Sequence, residues 1–245
     1  MPEPRIISWF SCGAASALAT KLTPKSIPVY CDTGAEHPDN KRFLRDCEKW
    51  FGRKVVKLRS DQYVDTWDVW TKERYLSGIH GAPCTRTLKI GPRLEYQRPT
   101  DIHVFGYTYD GADRKRARAF RTNYPELTVQ TPLIQRYVTK AECLAIVKRA
   151  GIQLPILYGL GFQNNNCMPC VKASAPGYWA LVRKEFPDKF QRMVKLSREL
   201  DVRLTIIKGE RCFIDEIPLD YPTTNPIVPS CDFLCSAVEL SLDKV

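Results

Sequence analysis

Arg5-Ile6-Ile7-Ser8-Trp9-Phe10-Ser11-Cys12-Gly13-Ala14-Ala15-Ser16 runs from a short apolar stretch, through a serine and a glycine, into good helix formers that continue to Leu22. This order predicts a strand, a tight loop and a helix. The pattern then repeats. Ile27 to Cys31 reads as a second strand closed by the turn signal Asp32-Thr33-Gly34. A helix follows from Pro38 through Phe51, with Phe43, Leu44, Cys47 and Phe51 on one face. Lys54 to Leu58 reads as a third strand, and Val64, Trp67, Trp70 and Tyr75 mark another helix. Ile102 to Tyr107 reads as a strand entering Asp110-Gly111, Ala112 to Asn123 as a helix, and Thr139 to Ala150 as a capped helix stopped by Gly151. Strands alternating with helices predict an α/β fold around a doubly wound, mostly parallel sheet.

Beyond Leu160 the alternation stops. Helical stretches are expected at Pro176 to Lys184 and Pro187 to Leu200, before a tail carrying Pro218, Pro222, Pro226 and Pro229. The expected division is a nucleotide-binding α/β domain over 1–160 and a cysteine-bearing helical and irregular extension over 161–245, packed on it. The Ile6 to Phe10 run is too brief for a signal segment or a membrane span, so a cytoplasmic protein with no membrane partner is expected. Lysine and arginine outnumber aspartate and glutamate 37 to 27, a net charge of +10 that favours polyanionic partners such as nucleotides or nucleic acid.

In a parallel sheet, ligands collect at the carboxyl ends of strands, where loops meet helix N-termini. Three loops are predicted at such ends. In the first, Ser11, Gly13 and Ser16 combine close backbone approach with hydroxyl donors. The second is Asp32, Thr33 and Gly34. The third runs from Gly106 to Arg118 and carries a dense basic run.

Ten cysteines in a cytosolic chain are expected to be mostly reduced, which turns attention to ligation or catalysis. Cys31, Cys47 and Cys143 sit among apolar neighbours and are expected to be core. Cys167 and Cys170, in Asn164-Asn165-Asn166-Cys167-Met168-Pro169-Cys170, form a CxxC pair compatible with structural zinc, an iron–sulfur cluster or a dithiol centre. Cys84, Cys231 and Cys235 are the available partners.

These motifs, in this order, resemble the phosphoadenosine-phosphosulfate (PAPS) reductase family, within the PP-loop, adenine-nucleotide alpha-hydrolase-like superfamily. Ser11, Gly13 and Ser16 stand in a variant of its SGGxDS loop, and Asp32-Thr33-Gly34 resembles its DTG segment. Pro83-Cys84-Thr85-Arg86-Thr87-Leu88-Lys89 is similar to its CCxxRK segment. Gly106-Tyr107 with Asp110 and Arg114 to Arg118 is similar to GxRxxxSxxR, and Thr131-Pro132-Leu133 matches the "PL" before a family helix. The resemblance implies an adenine-nucleotide site with Arg86, Lys89, Arg114 and Arg118 neutralising the anion, and a [4Fe–4S] cluster near the phosphate end.

Here Pro83 replaces the first cysteine of the tandem pair. Cys84, Cys167 and Cys170 would then be completed by Cys231 from the tail, with a four-cysteine zinc site as the alternative. Ala15 stands where the loop pattern has aspartate, Cys12 replaces a glycine, and the ECGLH segment that carries the attacking cysteine of reductases is absent. Cys235 is the expected replacement nucleophile, with Cys212 more remote.

The implied activity is reduction of a sulfonucleotide to sulfite and AMP or its 3′-phosphorylated form, served by a thioredoxin-like reductant. The alternatives are ATP-dependent sulfur transfer to tRNA or DNA, and a cluster- or zinc-bearing nucleotide-binding module without turnover.

Overall fold

The computed structural model describes residues 3–230 together with Val238 and Leu242. Its centre is a five-stranded, wholly parallel sheet. In chain order the elements begin β1 (Ile6–Trp9), α1 (Ala14–Lys21), β2 (Ile27–Cys31), α2 (Asn40–Phe51), β3 (Val56–Leu58) and α3 (Thr66–Glu73). A nearly continuous helical stretch follows: α4 (Pro83–Thr85), a π-helical turn (Arg86–Ile90) and α5 (Gly91–Tyr96). Then come β4 (Ile102–Val104), α6 (Gly111–Asn123), β5 (Thr128–Gln130), α7 (Pro132–Gln135), α8 (Lys140–Arg149) and α9 (Ile156–Gly159). The remainder is α10 (Pro176–Glu185), α11 (Pro187–Glu199), an antiparallel hairpin of β6 (Thr205–Ile207) and β7 (Glu210–Cys212), and a 3₁₀ turn at Ile214–Glu216.

The strand order β3-β2-β1-β4-β5 is that of a doubly wound sheet, as the alternation predicted. The order reverses beside β1: the chain moves outward through β2 and β3, then returns to place β4 on the other side of β1. The crevice at such a reversal is where this architecture binds ligands.

Local chemistry sets the helix limits that frame it. Helix α2 starts at Asn40 rather than Pro38 because Pro38 and Asp39 form a tighter turn, in which the Asn40 and Lys41 amides donate three residues back to the His37 and Pro38 carbonyls at 2.9 and 3.1 Å. The Asp39 carboxylate accepts from Arg42 at 2.6 and 2.9 Å and from the Ile156 amide at 2.9 Å. The helix ends on Gly52 in the left-handed conformation, φ 70°. Helix α8 opens with a capping box: Thr139 Oγ1 and amide both donate to Glu142, and the Glu142 amide donates back to Thr139 Oγ1.

Two apolar cores result. The first joins α1, α2 and α8 through Leu18, Phe43, Phe51, Leu144 and Ile146. Each such side chain contributes about 1.5–3 kcal/mol on burial. The second gathers Trp179, Phe190 and Met193 of α10 and α11 with Trp67, Trp70 and Leu76. The cysteine-bearing segment is therefore rooted partly in α3, which precedes residue 160 in the chain. Cys47 and Cys143 are fully buried in the first core, where their apolar neighbours placed them. Among the described residues no helix is long and apolar enough to cross a membrane.

Candidate functional site

The crevice at the sheet reversal is a cavity of about 580 Å³, within the range usual for small-molecule sites. Its floor is the loop between β1 and α1. Ser16 Oγ accepts from the Ser11 amide at 3.0 Å and from the Ser11 hydroxyl at 3.2 Å, and itself donates to the Gly13 carbonyl at 2.9 Å. Cys12, where the related loop pattern has glycine, is buried in left-handed backbone at φ 56°, a conformation costing a non-glycine residue about 1–2 kcal/mol.

The loop is held from outside. Asn165 Nδ2 donates to the Cys12 carbonyl at 2.6 Å and to Asn40 Oδ1 at 2.8 Å, while the Tyr158 hydroxyl accepts from the Ala14 amide at 3.3 Å. Gly106, just beyond β4, abuts the same loop: a Cβ there would stand 2.6 Å from Ser16 Cα and 2.7 Å from Ser16 N. Only a glycine lets the two strand ends close on each other.

One wall is aromatic. Phe105 and Phe120 have ring centroids 4.7 Å apart, as do Phe120 and Tyr124, and Trp9 and Tyr107 extend the surface. The lining is also cationic, with Lys89, Arg93, Arg116, Lys140 and Lys172 beside two carboxylates, Glu36 and Asp113. Both carboxylates are engaged: Glu36 accepts from Thr33 Oγ1 at 2.6 Å, and Asp113 accepts from Thr108 and pairs with Arg116 at 2.9 Å.

Arg93 is the telling cation. It is 7% exposed, its Nε and Nη2 have no hydrogen-bond partner, and its guanidinium lies over the rings of Phe120 and Tyr124 at 5.3 and 4.8 Å. A buried, unpaired guanidinium facing a cavity is costly unless an anion completes it.

Of the three thiols Cys84, Cys167 and Cys170, one reaches this cavity. Cys167 lines it, with Sγ 2.9 Å from Thr33 Oγ1, and the Met168 amide donates to the Ala35 carbonyl at 2.9 Å. These contacts tie the CxxC segment to the loop after β2. Burial pushes the Cys167 thiol up to about 12, against the pull of Lys89. Burial also raises Cys84, opposed by the Trp70 indole N–H, and the charge of Cys170 raises it further. Trp70 Nε1 is buried with no acceptor at normal hydrogen-bond distance. Burial draws the Lys89 ammonium down, yet Cys167, Glu36, Cys170 and Cys31 together outweigh it and hold the lysine above its ordinary value.

Cys84, Cys167 and Cys170 are thiols of the kind that hold an iron–sulfur cluster or a zinc ion. Among the described residues no three His, Cys, Asp or Glu side chains converge as ligands of one metal ion. Cys231 and Cys235 lie outside the described residues.

Of the other residues singled out in the sequence, Ser11, Gly13, Ser16, Lys89 and Gly106 line the cavity. Thr33 is buried against Cys167, while Asp32 and Gly34 line a neighbouring cavity instead. Arg86 is exposed and paired with Glu73 at 3.3 Å, Arg114 packs its guanidinium 4.5 Å from the centre of the Tyr109 ring, and Arg118 is exposed. None of these three arginines lines the cavity; Arg93 and Arg116 do. Cys31, expected in the core, is half-buried on the cavity wall, and Cys212 sits in the β6–β7 hairpin.

Neither a protein-family profile nor a curated protein sequence matches the chain. Its structure is similar to that of phosphoadenylyl-sulfate (PAPS) reductase from Candida auris in its phosphate complex. The TM-score is 0.51 and the identity 11%, over 67% of this chain and 81% of that one. At that identity the likeness is one of fold.

Proposed function

We infer that this chain, built on the fold of a PAPS reductase, is an adenine-nucleotide-binding iron–sulfur enzyme that reduces a sulfonucleotide to sulfite and AMP or adenosine 3′,5′-bisphosphate. The observation that carries the reading is the unpartnered Arg93, set with Lys89 in a nucleotide-sized cavity that Cys167 also lines. A phosphosulfate is a short dianion that two such cations suit, and its sulfur end would then face the thiols. The β1–α1 loop is less suited to a magnesium pyrophosphate. Ala15 offers no carboxylate, and the Ala14 amide already donates to Tyr158.

The aromatic wall would hold the adenine and exclude water, and Ser11, Gly13 and Ser16 would orient the ribose phosphate. Lys89 and Arg93 would neutralise charge on the phosphate as it leaves. The Cys235 thiolate would attack sulfur, forming an S–S bond as the sulfur–oxygen bond to phosphate breaks and its electron pair departs with AMP. A dithiol of the thioredoxin type would then attack the resulting thiosulfonate at its cysteine sulfur, release sulfite and close to a disulfide, supplying both electrons. Cys84, Cys167, Cys170 and Cys231 would hold the [4Fe–4S] cluster. When bound, the cluster supplies local electrostatics and a rigid anchor for the tail.

The test is anaerobic purification with iron, sulfide and zinc analysis, followed by sulfite measurement from both adenosine phosphosulfates with a dithiol reductant. No sulfite from either would sink the reading. The second reading, ATP-dependent sulfur transfer to tRNA or DNA, has one observation in its favour: Lys41, Arg45, Lys57 and Arg59 line the neighbouring cavity.

A further inference from the structure

Next to the first cavity lies a second, of about 680 Å³, which shares Tyr30 and Glu36 with it as a common wall. It opens between α2 and the edge strand β3. Lys41 and Arg45 of α2 line one side, about 6 Å apart along the axis, since four residues rise 1.5 Å each. Lys57 of β3 and Arg59 just beyond it line the other.

All four are exposed. Lys41, Arg45 and Lys57 form no ion pair among the described residues, and Arg59 donates to the Val64 carbonyl at 2.9 Å, which leaves its charge unneutralised. By contrast Arg42, on the same helix, is fully matched by Asp39 and Asp46. Two carboxylates also line the groove: Asp32 Oδ1 accepts from the Gly34 amide at 2.9 Å, and Glu36 accepts from Thr33; neither bond is to a cation, so four basic side chains stand against two carboxylates. The imidazole of His37 accepts from the Asp39 amide, and burial lowers its proton affinity, so it adds no charge near neutrality. Lys49, one further turn along α2, continues the exposed basic line outward.

We propose that this groove binds the phosphodiester backbone of a single-stranded nucleic acid, with one of the strand's nucleotides reaching the first cavity. Four cations against two carboxylates leave the groove basic, which suits a chain of phosphates beside a pocket whose own wall is aromatic. The proposal rests on the first cavity's being a nucleotide site, and the +10 net charge of the chain is in keeping with it.

The test is binding of a 12-nucleotide single-stranded RNA and its DNA counterpart, by anisotropy across 50 to 200 mM salt. Binding of AMP and of adenosine 3′,5′-bisphosphate is measured on the same protein. Four neutralised phosphates give a log–log salt slope of about −2.8, a roughly 50-fold loss of affinity over that range. In Lys41→Gln/Arg45→Gln the slope is expected to fall to about −1.4, so that the same salt step costs roughly 7-fold, with AMP affinity unchanged.

Three results would overturn the proposal: no oligonucleotide binding where AMP binds; a slope no different in this variant from that of Lys25→Gln/Lys195→Gln, which lie outside the groove; or a bisphosphate that binds as tightly as the 12-mer and loses as much in the variant. Failure of AMP to bind the unmodified protein would instead count against the nucleotide reading of the first cavity.

Discussion

Gly106→Ala tests whether the nucleotide loop is held by direct backbone contact with the end of β4. The new Cβ would stand 2.6 Å from Ser16 Cα, 2.7 Å from Ser16 N and 2.9 Å from Ala15 C. All three are backbone atoms, so no rotamer change relieves them. Ordinary carbon contacts begin near 3.5 Å, and the loop must therefore retreat by about 0.9 Å. Overpacking of this kind costs about 1–3 kcal/mol. For a chain of this size a loss near 2 kcal/mol lowers Tm by roughly 4–8 °C. The displaced loop carries Ser11 and Ser16, and a shift near 1 Å at such groups is expected to weaken AMP binding on the order of 10- to 100-fold. Gly111→Ala, five residues on, is the matched control. No atom lies within 4 Å of its Cβ, and it sits in the first turn of α6, so its Tm should be unchanged or raised by about 1–3 °C. Scanning fluorimetry and AMP calorimetry on the pair decide the matter. A Gly106→Ala protein that matches the unmodified chain in both would refute the reasoning.

Arg93→Met removes an unpartnered buried charge together with two ring contacts, so Tm should not fall, while affinity for AMP drops roughly 10- to 150-fold through loss of a charge-assisted bond. Asn165→Ala strips the partner from the Cys12 carbonyl and from Asn40 Oδ1, which should cost about 1–3 kcal/mol and raise amide exchange in the first turn of α1; unchanged exchange there would argue against the clamp. Burial pushes the Asp101 carboxyl up, but bonds from Arg5 at 2.6 and 2.9 Å and from the Arg98 amide hold it below its ordinary value. Its stabilisation is thus complete above the unfolded carboxylate range and lost as pH falls through the lower folded value. Urea midpoints of Asp101→Asn between pH 2 and 6 should show a correspondingly flatter acid limb. Burial raises the Cys31 thiol to about 11, so its alkylation, followed by peptide mass spectrometry, should be slow at pH 7.5, rise about tenfold per unit between pH 8 and 10, and be blocked by AMP.

The strands that build the centre of the sheet were legible because their apolar runs end at unmistakable turns, as Ile27 to Cys31 does at Asp32-Thr33-Gly34. β5 was not. Thr128, Val129 and Gln130 are half-buried or exposed at the sheet edge, and three residues give no period to read. The helical stretch from residue 83 to 96 was hidden by Pro83 and by Gly91-Pro92, which signal breaks. Pro83 opens α4 and Pro92 lies in the first turn of α5, where a missing N–H costs nothing, and the π-helical turn carries the chain between them. That stretch carries Cys84, Lys89 and Arg93, so missing it left Arg93 unnoticed although it follows Lys89 by one helical turn.

The basic run of α6 shows what spacing leaves open. Arg114 and Arg118 are four apart and share a face, but a pattern of charges does not say which face meets the cavity. Ala117, the buried residue of α6, settles it. With Ala117 turned inward, Asp113, Arg116 and Phe120 lie on its flank and line the cavity, while Arg114 and Arg118 are carried about 100° further round per residue. The cysteines repeat the point. Cys31, Cys47 and Cys143 all stand among apolar neighbours, and the latter two lie within helices packed on the sheet. Cys31 is the last residue of a parallel strand, at the edge where this architecture gathers its ligands. Its place in the strand, rather than the polarity of its neighbours, puts a thiol on the cavity wall.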